Sequence, residues 1–160
     1  GVSPPNICKV AKSKGRLSNR ILQVEDNKVA RFLVKGMMKK YGLVVDCAQC
    51  LEQVKVLIAQ HRYCLVLMDV GLPAESGFDV TEYLRRQSEM LSVPIVGLTA
   101  FVSPHIHARA KEVGMDASYA KPMMRDMADE IVAKYVSVQS TGVLVRASPL
   151  PQLSRAFSNG

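Results

Sequence analysis

The chain has 160 residues, of which 48% are apolar, and a formal net charge of +7. This length suits one domain with its own core, and no apolar run approaches the roughly 20 residues that a membrane-spanning helix needs. Residues 1–20 and 136–160 contain seven cations and no acid, so the middle of the chain is neutral. We therefore expect a cytoplasmic domain without membrane insertion. Because no nucleic-acid-binding motif accompanies these cations, we expect no direct nucleic-acid binding.

Residues 1–19 contain two prolines, two glycines and scattered lysines with little apolar periodicity, which predicts a basic linker. Cys47 and Cys50 form a CxxC spacing, but no second pair or histidine stands where a zinc site would need it. We therefore expect reduced, chemically inert thiols.

Five short apolar runs alternate with five amphipathic segments along the middle of the chain. The runs predict strands over about 20–24, 43–47, 64–69, 94–98 and 117–120. The amphipathic segments predict helices over about 28–41, 50–60, 77–87, 103–113 and 123–135. Strands and helices that alternate across short loops indicate a parallel sheet covered on both faces.

Two segments leave alternatives open. In the first helix Val29, Leu33 and Met37 share one face, which core packing and a docking surface for a partner's helical bundle explain equally well. Residues 137–160 are interpreted as a tail or linker, with an edge strand around Leu144 as the alternative.

Polar side chains stand where four of the predicted strands end. They are Glu25 and Asp26, Asp69, Thr99, and Lys121. In an open parallel sheet these ends share one edge, where ligands bind. Converging carboxylates repel one another unless cations neutralise them, and oxygen ligands suit Mg²⁺. The pattern therefore indicates a phosphoryl-transfer site in which a carboxylate acts as the nucleophile.

The order and spacing of these residues resemble those of a known family. The matching motifs are Glu25-Asp26, Asp69 with the loop to Gly77, Thr99-Ala100, Gly114-Met115-Asp116, and Lys121-Pro122. Residues 20–136 are thereby similar to the receiver domain of two-component response regulators, most closely to receivers of hybrid sensor histidine kinases. The resemblance implies a flavodoxin-like, doubly wound sheet of five parallel strands in the order 2-1-3-4-5, with helices on both faces.

The resemblance also implies roles for individual residues. Asp69 is expected to accept a phosphoryl group from a phosphohistidine on a histidine kinase or a histidine phosphotransfer domain, and homodimerisation is usual in the family. Thr99 and Lys121 are expected to bind the phosphoryl oxygens, and Lys121-Pro122 is expected to be a cis peptide. The expected Mg²⁺ ligands are Glu25, Asp26, Asp69 and the backbone carbonyl of Gly71.

Three positions depart from the family pattern. Ser118 stands three residues before Lys121, where the family usually has an aromatic switch residue, and Tyr119 is one place late. One place in a strand turns a side chain to the other face. Gly71 offers no side chain to position an attacking water, and Phe101 is expected to shield the site, so we predict a long-lived phosphoryl group.

Rival interpretations concern the parent protein and the chemistry. The chain alone is interpreted as a phosphoacceptor, with a hybrid sensor histidine kinase as the expected, membrane-anchored parent. A stand-alone response regulator and a scaffold that acts without phosphorylation are the alternatives. A haloacid-dehalogenase-type phosphatase is disfavoured because Gly71 stands where its second acid is needed.

Overall fold

The computed structural model describes residues 18–138 and 144–145 of the chain. Five parallel strands form one sheet in the order β2-β1-β3-β4-β5. The strands are β1 (Arg20–Val24), β2 (Val44–Ala48), β3 (Leu65–Asp69), β4 (Ile95–Thr99) and β5 (Ala117–Ala120). The predicted strand order is confirmed, and the observed bounds differ from the predicted ones by a residue at most.

Five helices connect and follow the strands. They are α1 (Lys28–Met38), α2 (Leu51–Gln60), α3 (Gly77–Arg85), α4 (Pro104–Val113) and α5 (Arg125–Tyr135). Local chemistry fixes their ends: the Asn27 side chain accepts a hydrogen bond from Ala30 N and caps α1, and Ser103 caps α4 in the same way. Gly114 ends α4 in the left-handed conformation, with φ of 105°, which side chains rarely tolerate.

Alternation along the strands divides the core into two layers. One layer packs β-strand residues such as Ile21 and Leu67 against α1 and α5. The other packs residues such as Leu22 and Met68 against α2, α3 and α4. Neighbouring residues of one strand therefore belong to different layers, and both faces of the sheet are covered as expected for a doubly wound fold.

The burial of two helices could not be derived from their own sequence pattern. In α1, Val34 and Met38 are buried, whereas Val29 and Leu33 are 65% and 47% exposed, so core packing does not explain the face that they share. In α4, His107, Ala110 and Val113 are buried, whereas Ile106 is only half-buried. Both differences arise because a helix is oriented by its contact with the sheet, which its own pattern does not fully specify.

Residues beyond α5 take part in a small separate ladder. β6 (Ser137–Val138) pairs with β7 (Leu144–Val145) in antiparallel fashion, apart from the five-stranded sheet. Leu144–Val145 thus pairs as a strand, with Ser137–Val138 as its partner. The predicted basic linker before Ser18 lies outside the described residues, as does most of the predicted tail. None of the described helices has the length and apolar character needed to cross a membrane.

Candidate functional site

The carboxyl ends of β1 and β3 bring three acids together. Glu25 and Asp26 follow β1 directly, and Asp69 is the last residue of β3. One carboxylate oxygen from each lies within 4.8 Å of the others. Glu25 and Asp69 are buried, while Asp26 is exposed at the mouth of the cluster. The predicted convergence of these acids is thus present in the structure.

Lys121 links the two buried acids. Its Nζ lies 3.1 Å from Glu25 Oε1 and 3.4 Å from Asp69 Oδ2. The pKa of Glu25 is raised, first because burial disfavours its charge and then because Asp69 lies nearby, despite a hydrogen bond from Asn27 N and the contact with Lys121. Burial works to lower the pKa of Lys121, but the hydrogen bond to Glu25 and the charges of both acids outweigh it and raise that pKa.

The backbone around the acids is held by hydrogen bonds from other elements. Arg31 of α1 donates from Nη1 to the carbonyl oxygens of Glu25 (3.1 Å) and Asp26 (2.8 Å). The amide of Gly71 donates to Asp69 Oδ1 at 2.9 Å, which fixes one carboxylate oxygen and leaves Oδ2 toward Lys121. Sequence reasoning missed Arg31, since nothing in a helical pattern marks an arginine that turns back to the preceding loop.

Gly77 is a second residue whose role the sequence did not reveal. A Cβ atom on Gly77 would clash with the carbonyl oxygen of Asp69 and would lie 2.9 Å from its carbonyl carbon. The start of α3 therefore presses against the backbone of the acid, and only glycine allows this approach. Gly71 is different, because a Cβ there would lie 3.9 Å from Asp69 Oδ1, in ordinary contact.

Thr99 ends β4 on the same edge of the sheet. It is buried, and its Oγ1 accepts a hydrogen bond from Phe101 N (3.1 Å) and donates to Phe101 O (3.0 Å). The hydroxyl is therefore engaged with its own loop in this structure. The Phe101 side chain is 79% exposed, so it does not pack over the acids. The Lys121-Pro122 peptide that follows β5 is cis, as predicted.

The departure at Ser118 and Tyr119 has a clear structural outcome. β5 pairs with β4 in register, with Ser118 opposite Gly97 and Tyr119 opposite Leu98. Tyr119 consequently lies in the layer of α1 and α5, where its hydroxyl donates to Glu130 Oε2 at 2.9 Å. Ser118 faces the other layer and pairs its Oγ with His107 Nδ1 at 2.8 Å. Ser118 and Tyr119 therefore face opposite layers, and Tyr119 packs on the α1 and α5 side of the sheet.

The predicted CxxC pair does not form a metal site or a disulfide. Among the described residues Cys47, Cys50 and Cys64 are free thiols. Burial, above all, raises the pKa of Cys47 and brings that of Cys64 to about 12. These two partly buried thiols are accordingly protonated at neutral pH, and their inertness stays a prediction.

Comparison with known proteins identifies the family. The profile of the response regulator receiver domain matches residues 21–133. The chain belongs to this family. Rice (Oryza sativa subsp. japonica) probable histidine kinase 4 is 29% identical over 141 residues, which is 75% of this chain but only 14% of that protein. The polar-differentiation response regulator DivK of Brucella anthropi is 29% identical over 117 residues, 72% of this chain and 94% of DivK.

A solved receiver domain adds a structural match. The receiver of the sensor histidine kinase PA1611 from Pseudomonas aeruginosa, solved with magnesium coordinated in its active-site cleft, is 30% identical with a TM-score of 0.65. The match covers 72% of this chain and 94% of that receiver. The chain is thus a receiver domain similar to those of sensor histidine kinases, and it spans a small part of the full-length rice relatives.

Receiver domains bind Mg²⁺ in an acidic pocket, and the residues of this chain fit such an ion. All three acids offer oxygen, the donor that Mg²⁺ prefers. Two of them are buried, and one lysine among three carboxylates leaves an excess of negative charge that a divalent cation would balance. The chemistry of the donor set and its burial therefore both favour the metal.

Proposed function

We propose that Asp69 is the phosphoacceptor of this receiver and that its donor is a phosphohistidine on a histidine kinase or a histidine phosphotransfer domain. The observation that carries the proposal is the placement of Asp69. Its carboxylate lies at the end of a buried strand, beside two other acids and one lysine, with Oδ1 held by Gly71 N. A carboxylate in that position is a suitable nucleophile for phosphoryl transfer.

In the transfer step an oxygen of Asp69 attacks the phosphorus of the phosphohistidine. A P–O bond forms as the P–N bond breaks, and the electron pair of the broken bond returns to the imidazole nitrogen. The other ring nitrogen keeps its proton, so the donor leaves as neutral histidine. We assign Oδ2 as the attacking atom, because Oδ1 already accepts from Gly71 N.

The side chains around Asp69 compensate the charge of the incoming phosphoryl group. Lys121 already lies 3.4 Å from Asp69 Oδ2, within reach of an oxygen bonded there. We assign Thr99 as a further donor, which requires its hydroxyl to leave the Phe101 carbonyl. Glu25, Asp26, Asp69 and the Gly71 carbonyl would hold Mg²⁺. When bound, Mg²⁺ supplies positive charge that stabilises the phosphoryl oxygens.

We also propose that the chain is the receiver of a hybrid sensor histidine kinase and works on the cytoplasmic side of the membrane. The similarity to the rice kinases and to the PA1611 receiver supports this parent. The similarity to DivK, which the chain covers almost completely, supports a stand-alone response regulator as the second candidate. Intact mass of the endogenous protein, isolated with an antibody to the receiver, distinguishes a kinase-sized parent from a single domain.

Phosphorylation tests the central proposal. The purified chain is incubated with acetyl phosphate, with and without MgCl₂, and intact mass is recorded. We expect a Mg²⁺-dependent gain of one phosphoryl group that Asp69→Asn abolishes. Asp79→Asn is the matched control, because Asp79 is an exposed acid on α3 outside the cluster. A chain that gains no phosphoryl group from acetyl phosphate or a phosphorylated phosphotransfer domain would instead be a scaffold that acts without phosphorylation.

A further inference from the structure

A groove lies between α1 and α5, and we call it the α1–α5 groove. Its volume is about 400 Å³, which is within the range of small-molecule sites. Apolar side chains of α1, among them Phe32, Leu33 and Met37, supply much of its lining. The acids and the lysine of the phosphoacceptor site do not line it, so the groove is a separate feature of the surface.

The α1 side of the groove leaves apolar surface in water. Phe32 is 75% exposed and Leu33 is 47% exposed. Gly36 lies one turn later on the same face of the helix, and a Cβ atom there would meet nothing within 4 Å. Packing within the domain therefore does not require glycine at this position, although glycine weakens a helix relative to alanine. The missing side chain opens the groove, so that a ligand can lie directly against α1.

Two cations line the groove, and one of them already has a counter-charge. Lys40 Nζ lies 3.2 Å from Asp129 Oδ1, and the hydroxyl of Tyr41 donates to the same oxygen. Arg125, the first residue of α5, is exposed, and its side chain has no ion-pair or hydrogen-bond partner among residues 18–138 and 144–145. The groove therefore keeps one positive charge that the described part of the chain does not neutralise.

We propose that the α1–α5 groove binds a small amphipathic monoanion, an aromatic hydrocarbon body that carries one carboxylate. Phe32 and Leu33 bind the body because contact removes apolar surface from water, and the guanidinium of Arg125 binds the carboxylate. A neutral molecule forgoes this ion pair, and a cationic one is repelled. The volume of the groove and its single unneutralised charge favour a small molecule over an acidic protein segment, which would carry several charges.

Titration of the full chain with 3-phenylpropionate tests this proposal without a phosphodonor or Mg²⁺, so the outcome is independent of the proposed function. The protein is labelled with ¹⁵N, and 3-phenylpropionamide, which has the same body without the charge, serves as the matched ligand. We expect 3-phenylpropionate to shift the backbone amide signals of Gly36, Lys40 and Ala128, and to bind about threefold more tightly than the amide. High salt should weaken its binding, because the charges are exposed and are therefore screened.

Two variants separate the charge from the groove. Arg125→Gln should weaken 3-phenylpropionate binding by about threefold and change amide binding by less than about twofold, whereas Arg86→Gln, at an exposed arginine directly after α3, should change neither. Gly36→Leu fills the groove and should abolish binding of both ligands. It should fold, because its Cβ meets open space and leucine favours a helix. Ala59→Leu, on the exposed face of α2, should bind both ligands as the wild-type chain does.

Four results would overturn the proposal. The first is that 3-phenylpropionate at millimolar concentration shifts none of the groove signals. The second is equal affinity of the wild-type chain for the acid and the amide, and the third is unchanged affinity for the acid in Arg125→Gln. The fourth is that an acidic amphipathic peptide shifts the groove signals and 3-phenylpropionate does not, which would make the groove a protein docking surface.

Discussion

Lys121 is the cation on which the stability of the acidic cluster depends. Its Nζ lies 3.1 Å from Glu25 and 3.4 Å from Asp69, whose side chains are 2% and 5% exposed. Replacing Lys121 with Met leaves two buried acids without this counter-charge. Loss of one partner of a buried ion pair costs about 3–5 kcal/mol. Because Lys121 itself is 26% exposed, we expect solvent screening to reduce the loss in unfolding free energy to about 2–3 kcal/mol.

Mg²⁺ should restore much of the unfolding free energy that Lys121→Met loses. In the wild-type chain the lysine ammonium competes with a divalent cation for the same oxygens, so Lys121→Met should bind Mg²⁺ more tightly. Stabilisation by a ligand grows as RT ln(1 + [L]/Kd), so a tenfold gain in affinity adds about 1.4 kcal/mol at saturating concentration. Urea unfolding followed by circular dichroism, with and without MgCl₂, measures both effects.

Lys134→Met is the matched control for this experiment. Lys134 lies on α5, is 28% exposed, and pairs with Glu130, itself 26% exposed, at 3.6 Å. Its replacement should cost less than about 1 kcal/mol and leave the response to Mg²⁺ unchanged. Our reasoning would be refuted if Lys121→Met were no less stable than Lys134→Met without metal, or if Mg²⁺ stabilised the two variants equally.

Three further predictions concern the surroundings of the site. Gly77→Ala should lower both stability and the rate of phosphorylation by acetyl phosphate, because the added Cβ clashes with the Asp69 backbone; normal phosphorylation would contradict that contact. Gly71→Asn should shorten the lifetime of the phosphoryl group by about tenfold or more in a mass-based decay assay, since a side chain there begins beside Asp69 Oδ1 and its amide could orient water; unchanged decay would contradict the predicted long lifetime. Cys64→Ser should not change the number of thiols that react rapidly with an aromatic disulfide reagent in the native protein at mildly alkaline pH, because burial raises the pKa of Cys64 to about 12. Loss of one fast-reacting thiol in this variant would contradict the burial of Cys64.

Arg85 illustrates a structural feature that the sequence concealed. Its guanidinium donates to the carbonyl oxygens of Met90 (2.8 Å), Val93 (2.9 Å) and Gly114 (2.9 Å), and pairs with Asp116 at 3.1 Å. Asp116 also accepts from the amide that begins β4. An arginine in the last turn of a helix ordinarily indicates a solvated side chain, and the loops that it joins here are distant in sequence.

The sequence by itself determined the alternation of strands and helices and the set of residues at the strand ends. Short apolar runs and helical periodicity are local properties, and parallel strands place their carboxyl ends at one edge, so Glu25, Asp26, Asp69 and Lys121 could be expected to converge. Tertiary structure decided which side of each element is buried. It oriented α1 so that Val29 and Leu33 are exposed, and its register placed Tyr119 against α5 rather than toward His107.

Tertiary structure also decided the distances within the site. The engagement of Thr99 with its own loop, the contact of Gly77 with Asp69 and the α1–α5 groove all depend on how separate segments pack to within a fraction of an ångström. Sequence periodicity specifies which residue types face the core, but it carries no information on these contacts. These contacts form only when all five strands and their helices pack together, because a close-packed interior couples the position of each side chain to those of its neighbours.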